Sequence, residues 1–132
     1  MNTLAEQLQM SESSFVDPAG IHDENISTAR DITKASIAAA AHPTVSIASA
    51  APYWRADIAE GKEKVFNSTN KLLWRDVDWI VAKTGFTNTA RAGFTGVYEQ
   101  NGRRIAITTL GAWYPSRRWK DVNAIINWVA RH

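Results

Sequence analysis

The clearest pattern of apolar and polar positions lies in the second half of the chain. Val77-Asp78-Trp79-Ile80-Val81-Ala82-Lys83 is rich in β-branched and aromatic residues and predicts a strand that runs into Thr84-Gly85. Phe94 to Glu99 and Arg103 to Leu110 flank Asn101-Gly102. Asn-Gly is the strongest short-range hairpin signal, because both central residues of a type I′ turn need positive φ. Three antiparallel strands are therefore expected. From Ser116 to His132, residues Trp119, Val122, Ile125, Ile126 and Val129 recur at helical spacing, which predicts a helix able to cover one side of that sheet.

The first half is less regular. Leu4, Ala5 and Leu8 have helical spacing with no capping residue ahead of them, as the tail of a longer helix would. Asp17-Pro18-Ala19-Gly20 carries turn chemistry and makes Ser11 to Asn25 a loop. Ser27 is the expected cap of a helix over Thr28 to Ala41, ended by His42-Pro43. Val45 to Ala48 reads as a short strand, and Glu60-Gly61-Lys62 as the tip of a polar hairpin. The expected class is α/β (α+β), an antiparallel sheet flanked by helices, in a single partial domain over 1–132.

Composition narrows the function. The chain has 132 residues, 45% hydrophobic and 21% charged, an ordinary globular balance. Its formal net charge of +2 is spread among acids without a basic block, so nucleic acid is not the expected partner. Cysteine is absent, which excludes thiol catalysis and disulfides. The start, Met1 to Met10, has no basic segment followed by an apolar run and is not read as a secretory signal. No stretch reaches the roughly 18 to 20 apolar residues of a membrane span. His22, His42 and His132 are far apart and have no acids at ligand spacing, so neither metal nor cofactor is expected.

Lys83-Thr84-Gly85 at the end of an apolar strand is the motif to weigh first. By itself it is three letters, and a buried strand ending in a turn with a solvated lysine explains it better. Its surroundings add to it: Ser14-Phe15-Val16-Asp17-Pro18-Ala19-Gly20-Ile21, Asn25 to Ile32, Asn67-Ser68-Thr69-Asn70-Lys71-Leu72-Leu73-Trp74, Lys83 to Asn88, and Thr109-Leu110-Gly111-Ala112. In order and approximate spacing these segments resemble the penicillin-binding serine D-alanyl-D-alanine peptidases, most closely the low-molecular-mass carboxypeptidase and endopeptidase branch. The resemblance implies the C-terminal portion of a β-lactamase/transpeptidase-like domain, and acyl transfer through a serine ester in a cleft where Ser-x-x-Lys, Ser-x-Asn and Lys-Thr-Gly meet.

On that resemblance, Lys83 supplies positive potential and supports proton transfer, and Thr84 binds the terminal carboxylate of a D-Ala-D-Ala peptide or a β-lactam. Gly85 allows close backbone approach, and the amide of Phe86 is an oxyanion donor. Arg118 stands where some carboxypeptidase relatives place a basic residue near the substrate carboxylate; as a residue beside Arg117 it is equally a surface arginine. The implied partners are peptidoglycan stem peptides, β-lactams and a missing N-terminal half of the domain, and the implied compartment is the periplasm or cell envelope.

The family's nucleophile motifs belong upstream of the segment that Met1 resembles, so this sequence is expected to lack them. Ser27-Thr28-Ala29-Arg30 has arginine where a base is required. Ser68-Thr69-Asn70-Lys71 matches Ser-x-x-Lys, but in a loop ahead of the Lys-Thr-Gly strand, and is read as accidental. The family pattern also places glycine at the position of Arg91, which predicts a one-residue shift onto Ala92-Gly93. Asp76 and Asp78 read as solvated. Trp79, Trp119 and Trp128 fall on apolar faces and read as core, whereas Trp54, Trp74 and Trp113 are undetermined. Two alternatives stand beside the peptidase: a non-catalytic or split relative that binds stem peptides, and an unrelated Trp-rich binding protein.

Overall fold

The computed structural model describes residues 1–132. Its elements are α1 (Asn2–Gln7), α2 (Ala29–Ala40), α3 (Pro43–Ala50), β1 (Tyr53–Ala59), β2 (Lys62–Asn67), a 3-10 turn (Lys71–Trp74), β3 (Asp78–Thr87), β4 (Arg91–Gln100), β5 (Arg103–Ala112) and α4 (Pro115–Val129). Strands β3, β4 and β5 make an antiparallel sheet in that order, and β1 and β2 make a separate hairpin. Asn101 and Gly102 take φ of 53° and 71°, as the two-residue turn between β4 and β5 requires. No helix is long and apolar enough to cross a membrane.

Neighbouring strand residues point to opposite faces, so Phe94 and Thr95 mark the two sides of the sheet. On the Phe94 side, Trp79, Phe94, Tyr98 and Ile107 bury themselves with Leu72 and with Val122 of α4, and Trp119, Ile125 and Ile126 pack against this cluster. Trp79 meets Phe94 edge to face at 5.2 Å between ring centroids, a geometry that aligns the positive ring edge with the negative face. On the Thr95 side the contact is polar. Ser36 of α2 bonds Thr95, Thr33 donates to Thr108 at 2.7 Å, and Thr95 and Thr108 share a 2.8 Å bond. The sheet therefore lies between α4 on one face and α2 on the other.

Gly96 is where the packing is tightest. A Cβ there would stand 2.6 Å from Cζ3 of Trp79 and 2.9 Å from the Val81 carbonyl. Gly96→Ala is expected to destabilise the fold by about 1 to 3 kcal/mol through overpacking. Thermal denaturation checks it; an unchanged midpoint would mean that Trp79 is free to move.

The sheet, its hairpin turn and α4 match the sequence expectations, and the α/β class is the one observed. Three details differ. Residues 45–48 are helical, inside α3, not a strand: Pro43 at the first helical turn fixes φ in advance for a helix. Thr28, not Ser27, caps α2, accepting from the Asp31 amide, while the Ser27 hydroxyl bonds Ser13. Trp128 is 57% exposed and stacks on His132, outside the core that holds Trp79.

Candidate active-site cleft

β3 is an edge strand of the sheet. Lys83, Thr84 and Gly85 sit within it, not at its end, because pairing with β4 continues as far as Thr87 opposite Arg91. Lys83 lies opposite Thr95 and Thr84 opposite Phe94, so their side chains leave by opposite faces. At an edge both can still reach the same open space. They line a cleft of about 1050 Å³ together with Gly85, Phe86 and Arg118. A Cβ built on Gly85 would meet no atom within 4 Å, so the space in front of that backbone is open cleft.

Backbone geometry places the Phe86 amide as well. The Thr84 carbonyl accepts a hydrogen bond from Lys83 Nζ, so it is directed away from β4. Strand alternation sets the amide of Phe86, two residues on, along the same unpaired side. Among the residues lining the cleft there is no Asp or Glu, while Lys71, Lys83 and Arg118 are all cationic. The cleft is thus built to attract an anion.

Arg118 is no surface arginine. It is only 5% exposed, and one guanidinium nitrogen donates to the carbonyls of both Gly85 and Gly93 at 2.9 Å. Its guanidinium carbon lies 4.3 Å from the centroid of the Trp119 ring. Burial lowers its pKa from the ordinary arginine range, and no carboxylate pairs with it, whereas its neighbour Arg117 pairs with Asp121 in the solvent. Arg118 therefore bridges β3 and β4 at the level of Gly85 and delivers a largely uncompensated charge to the cleft wall.

Two further segments, not singled out as site residues from the sequence, complete the wall. Thr69 shares a 2.6 Å hydrogen bond with the Thr84 hydroxyl, which draws the loop after β2 onto the edge strand. Ala19, Gly20 and Ile21 face the same cleft from the other side. They are presented by a loop wound around Asp17, whose carboxylate accepts from the amides of Ala19, Gly20 and His22 and from the Asn25 side chain. Those bonds, led by the His22 amide, lower the Asp17 pKa to about 2. A carboxylate depressed from 3.8 in this way contributes stability above its unfolded pKa, lost as pH falls through about 2. Thr89 ties this loop to the β3–β4 turn by donating to Asp23. The Asp17-Pro18-Ala19-Gly20 run signals a turn in the sequence and the family pattern puts 67–70 in a loop, but nothing local shows that the two meet.

Arg91 takes φ of 64°, in the region that glycine occupies without cost. The position keeps a glycine-like backbone with arginine in place; Gly93 pairs with Gly85 on the β3 side, and a register irregularity against β5 falls between Ala92 and Phe94. The Arg91 side chain covers the Trp113 ring, 4.1 Å from its centroid. The decoy serine is accounted for too. Ser68 Oγ accepts from the Asn70 amide in the loop, and Lys71 starts the 3-10 turn.

A sequence model of D-alanyl-D-alanine carboxypeptidase matches residues 1–113. The chain belongs to that family. A D-alanyl-D-alanine endopeptidase of Escherichia coli is 32% identical over 135 residues, covering 98% of this chain and 42% of the relative. The D-alanyl-D-alanine carboxypeptidase of Mycobacterium tuberculosis superposes with a TM-score of 0.87 at 26% identity, covering 99% of this chain and 52% of that one. A penicillin-binding protein of Listeria monocytogenes, in its cefotaxime-bound form, superposes with a TM-score of 0.82 at 30% identity over 96% of this chain and 51% of its own. The chain thus spans about half the length of the proteins it matches. Lys83, Thr84, Gly85 and Phe86 lie within the matched segment, and Arg118 lies beyond it.

Proposed function

We propose that this chain forms the Lys-Thr-Gly wall, the C-terminal portion, of a serine-type D-alanyl-D-alanine carboxypeptidase or endopeptidase acting on peptidoglycan, the serine nucleophile being supplied by a complementary N-terminal half. The observation that carries the reading is the acid-free cleft in which Lys83, Thr84, Gly85, Phe86 and Arg118 converge on one edge strand. Each member has a chemical task. The Thr84 hydroxyl, relieved of its bond to Thr69, donates to the terminal carboxylate of the substrate, and the Arg118 charge favours that anion. An extended peptide adds to the open edge of β3 by main-chain pairing. The Phe86 amide stabilises the oxyanion of the tetrahedral intermediate, and Lys83 holds positive potential where the acylating serine and its base meet the substrate. A β-lactam, which also carries a carboxylate beside its reactive carbonyl, would use the same groups. Peptidoglycan as substrate places this work in the cell envelope.

The alternative is that the chain binds stem peptides without turning them over, alone or as one part of a split enzyme. What favours it for the chain by itself is that the sole Ser-x-x-Lys in the sequence, Ser68 to Lys71, has its serine hydroxyl tied to the loop backbone and its lysine in the 3-10 turn. Incubating the isolated chain with a fluorescent penicillin is therefore expected to leave its intact mass unchanged. A stable acyl adduct on Ser68, or on any other serine, would overturn the assignment of the nucleophile to a complementary half.

A further inference from the structure

The cleft holds three cations, and they are not equivalent. Arg118 is engaged with two strand carbonyls and Lys83 with the carbonyl of Thr84. Lys71 has no hydrogen-bond or ion-pair partner; the chain's ion pairs are Lys34 with Asp31, Arg55 with Glu63 and Arg117 with Asp121. Its backbone is nonetheless fixed on both sides. Asn70 is 2% exposed and its side chain accepts from the Leu72 amide, and Leu72 is 1% exposed in the core. One residue earlier, Thr69 bonds Thr84. An exposed lysine is thus carried into the cleft on an anchored segment, two residues from the contact with the carboxylate-binding threonine, and no acid in the cleft neutralises it.

We infer that Lys71 is a specificity-determining residue: its ammonium recognises a second carboxylate on the bound peptide, besides the terminal one assigned to Thr84 and Arg118. This rests on the D-alanyl-D-alanine reading and narrows its substrate class to stems that carry an additional acidic group near the terminal dipeptide. A lysine suits the task because it is a point charge on a flexible stem and needs no fixed planar geometry in its partner.

The test is a heteronuclear NMR titration of the 132-residue chain with two peptides ending in D-alanyl-D-alanine. The residue before the dipeptide carries a free side-chain carboxylate in one and the corresponding amide in the other. The wild type is expected to bind the dicarboxylate roughly two- to fivefold more tightly, the range of an exposed ion pair, with the preference shrinking as salt is added. Lys71→Met should abolish the preference, so that the two peptides bind with equal affinity. Thr84→Val should weaken both peptides and keep their ratio. A preference that survives in Lys71→Met, or that disappears in Lys83→Met instead, overturns the assignment to Lys71 and leaves the wider reading standing. If the wild type binds neither peptide, or Thr84→Val weakens neither, the D-alanyl-D-alanine reading itself fails and the role of Lys71 falls with it.

Discussion

Replacing Arg118 by methionine is expected to lower the stability of the fold by about 3 kcal/mol, taking two charge-assisted hydrogen bonds at about 1.5 kcal/mol each, the low end of their range. The bonds run to Gly85 and Gly93, which face each other across β3 and β4, so the guanidinium fastens the edge strand to its neighbour where the cleft opens. Methionine keeps much of the apolar stem and most of the volume, but it loses both bonds and the stack on Trp119. Relief of the desolvated cation opposes this loss, and its direction is visible in the lowered pKa. The bonds should prevail because the guanidinium is weakly hydrated to begin with. Arg118→Lys retains the charge but cannot reproduce the planar fork, so it should recover only part of the stability. Chemical denaturation of the three proteins is the measurement. A methionine variant that unfolds at the wild-type midpoint would show that the two strand carbonyls do not depend on Arg118, and its burial would then need a different cause.

How far the sequence disclosed this structure depended on whether the signal was local. Asn101-Gly102 and the runs on either side of it specify a hairpin through backbone sterics alone, and β4 and β5 form where those residues require. The α4 helix was legible because Val122, Ile125 and Ile126 repeat at helical spacing and find the sheet. Residues 45–48 were misread because apolar Val45 and Ile47 alternate with the small Ser46 and Ala48, a strand-like pattern, while the proline expected to end α2 starts α3. The cleft shows the same division. Lys83, Thr84, Gly85 and Phe86 were found because a contiguous motif carries them. Thr69, Lys71 and the Ala19–Ile21 wall come from segments that carry the family resemblance but were given no part in the site. What brings them to the cleft is a hydroxyl pair between residues 69 and 84 and the bonds around Asp17, and neither has a sequence period. Arg118 was ambiguous for a related reason: an arginine beside another arginine gives no sign of which one faces the sheet.

The largest functional effect is expected at Lys83, measured in whatever complete assembly contains this chain, whether a longer polypeptide or a reconstituted pair of halves. Thr84→Val preserves volume and strand propensity and removes only the hydroxyl. A hydrogen bond to a charged group contributes about 1.5 to 3 kcal/mol, so the loss in kcat/KM should be roughly ten- to hundredfold. Part of that loss is offset where Thr69, freed from its bond to Thr84, turns its own hydroxyl to the substrate carboxylate. Thr69→Val alone should therefore cost less than Thr84→Val, and the pair together more than either. Lys83→Ala should exceed the hundredfold limit of the threonine variant. On the proposed function it removes both the field that draws the carboxylate in and a member of the proton-transfer network, and Arg118, held by Gly85 and Gly93, is not free to take its place. Lys83 is exposed, and its only hydrogen bond goes to the Thr84 carbonyl, so the fold should survive the change. The Lys83→Ala and Thr84→Val losses should combine less than additively, since both groups act on one bound anion. Steady-state hydrolysis of a D-alanyl-D-alanine peptide by the wild type, the single variants and the double variants reads all of this, with circular dichroism confirming the fold. Undiminished turnover by folded Lys83→Ala protein would take β3 out of the active site, and the assignment of Thr84, Gly85 and Phe86 would go with it.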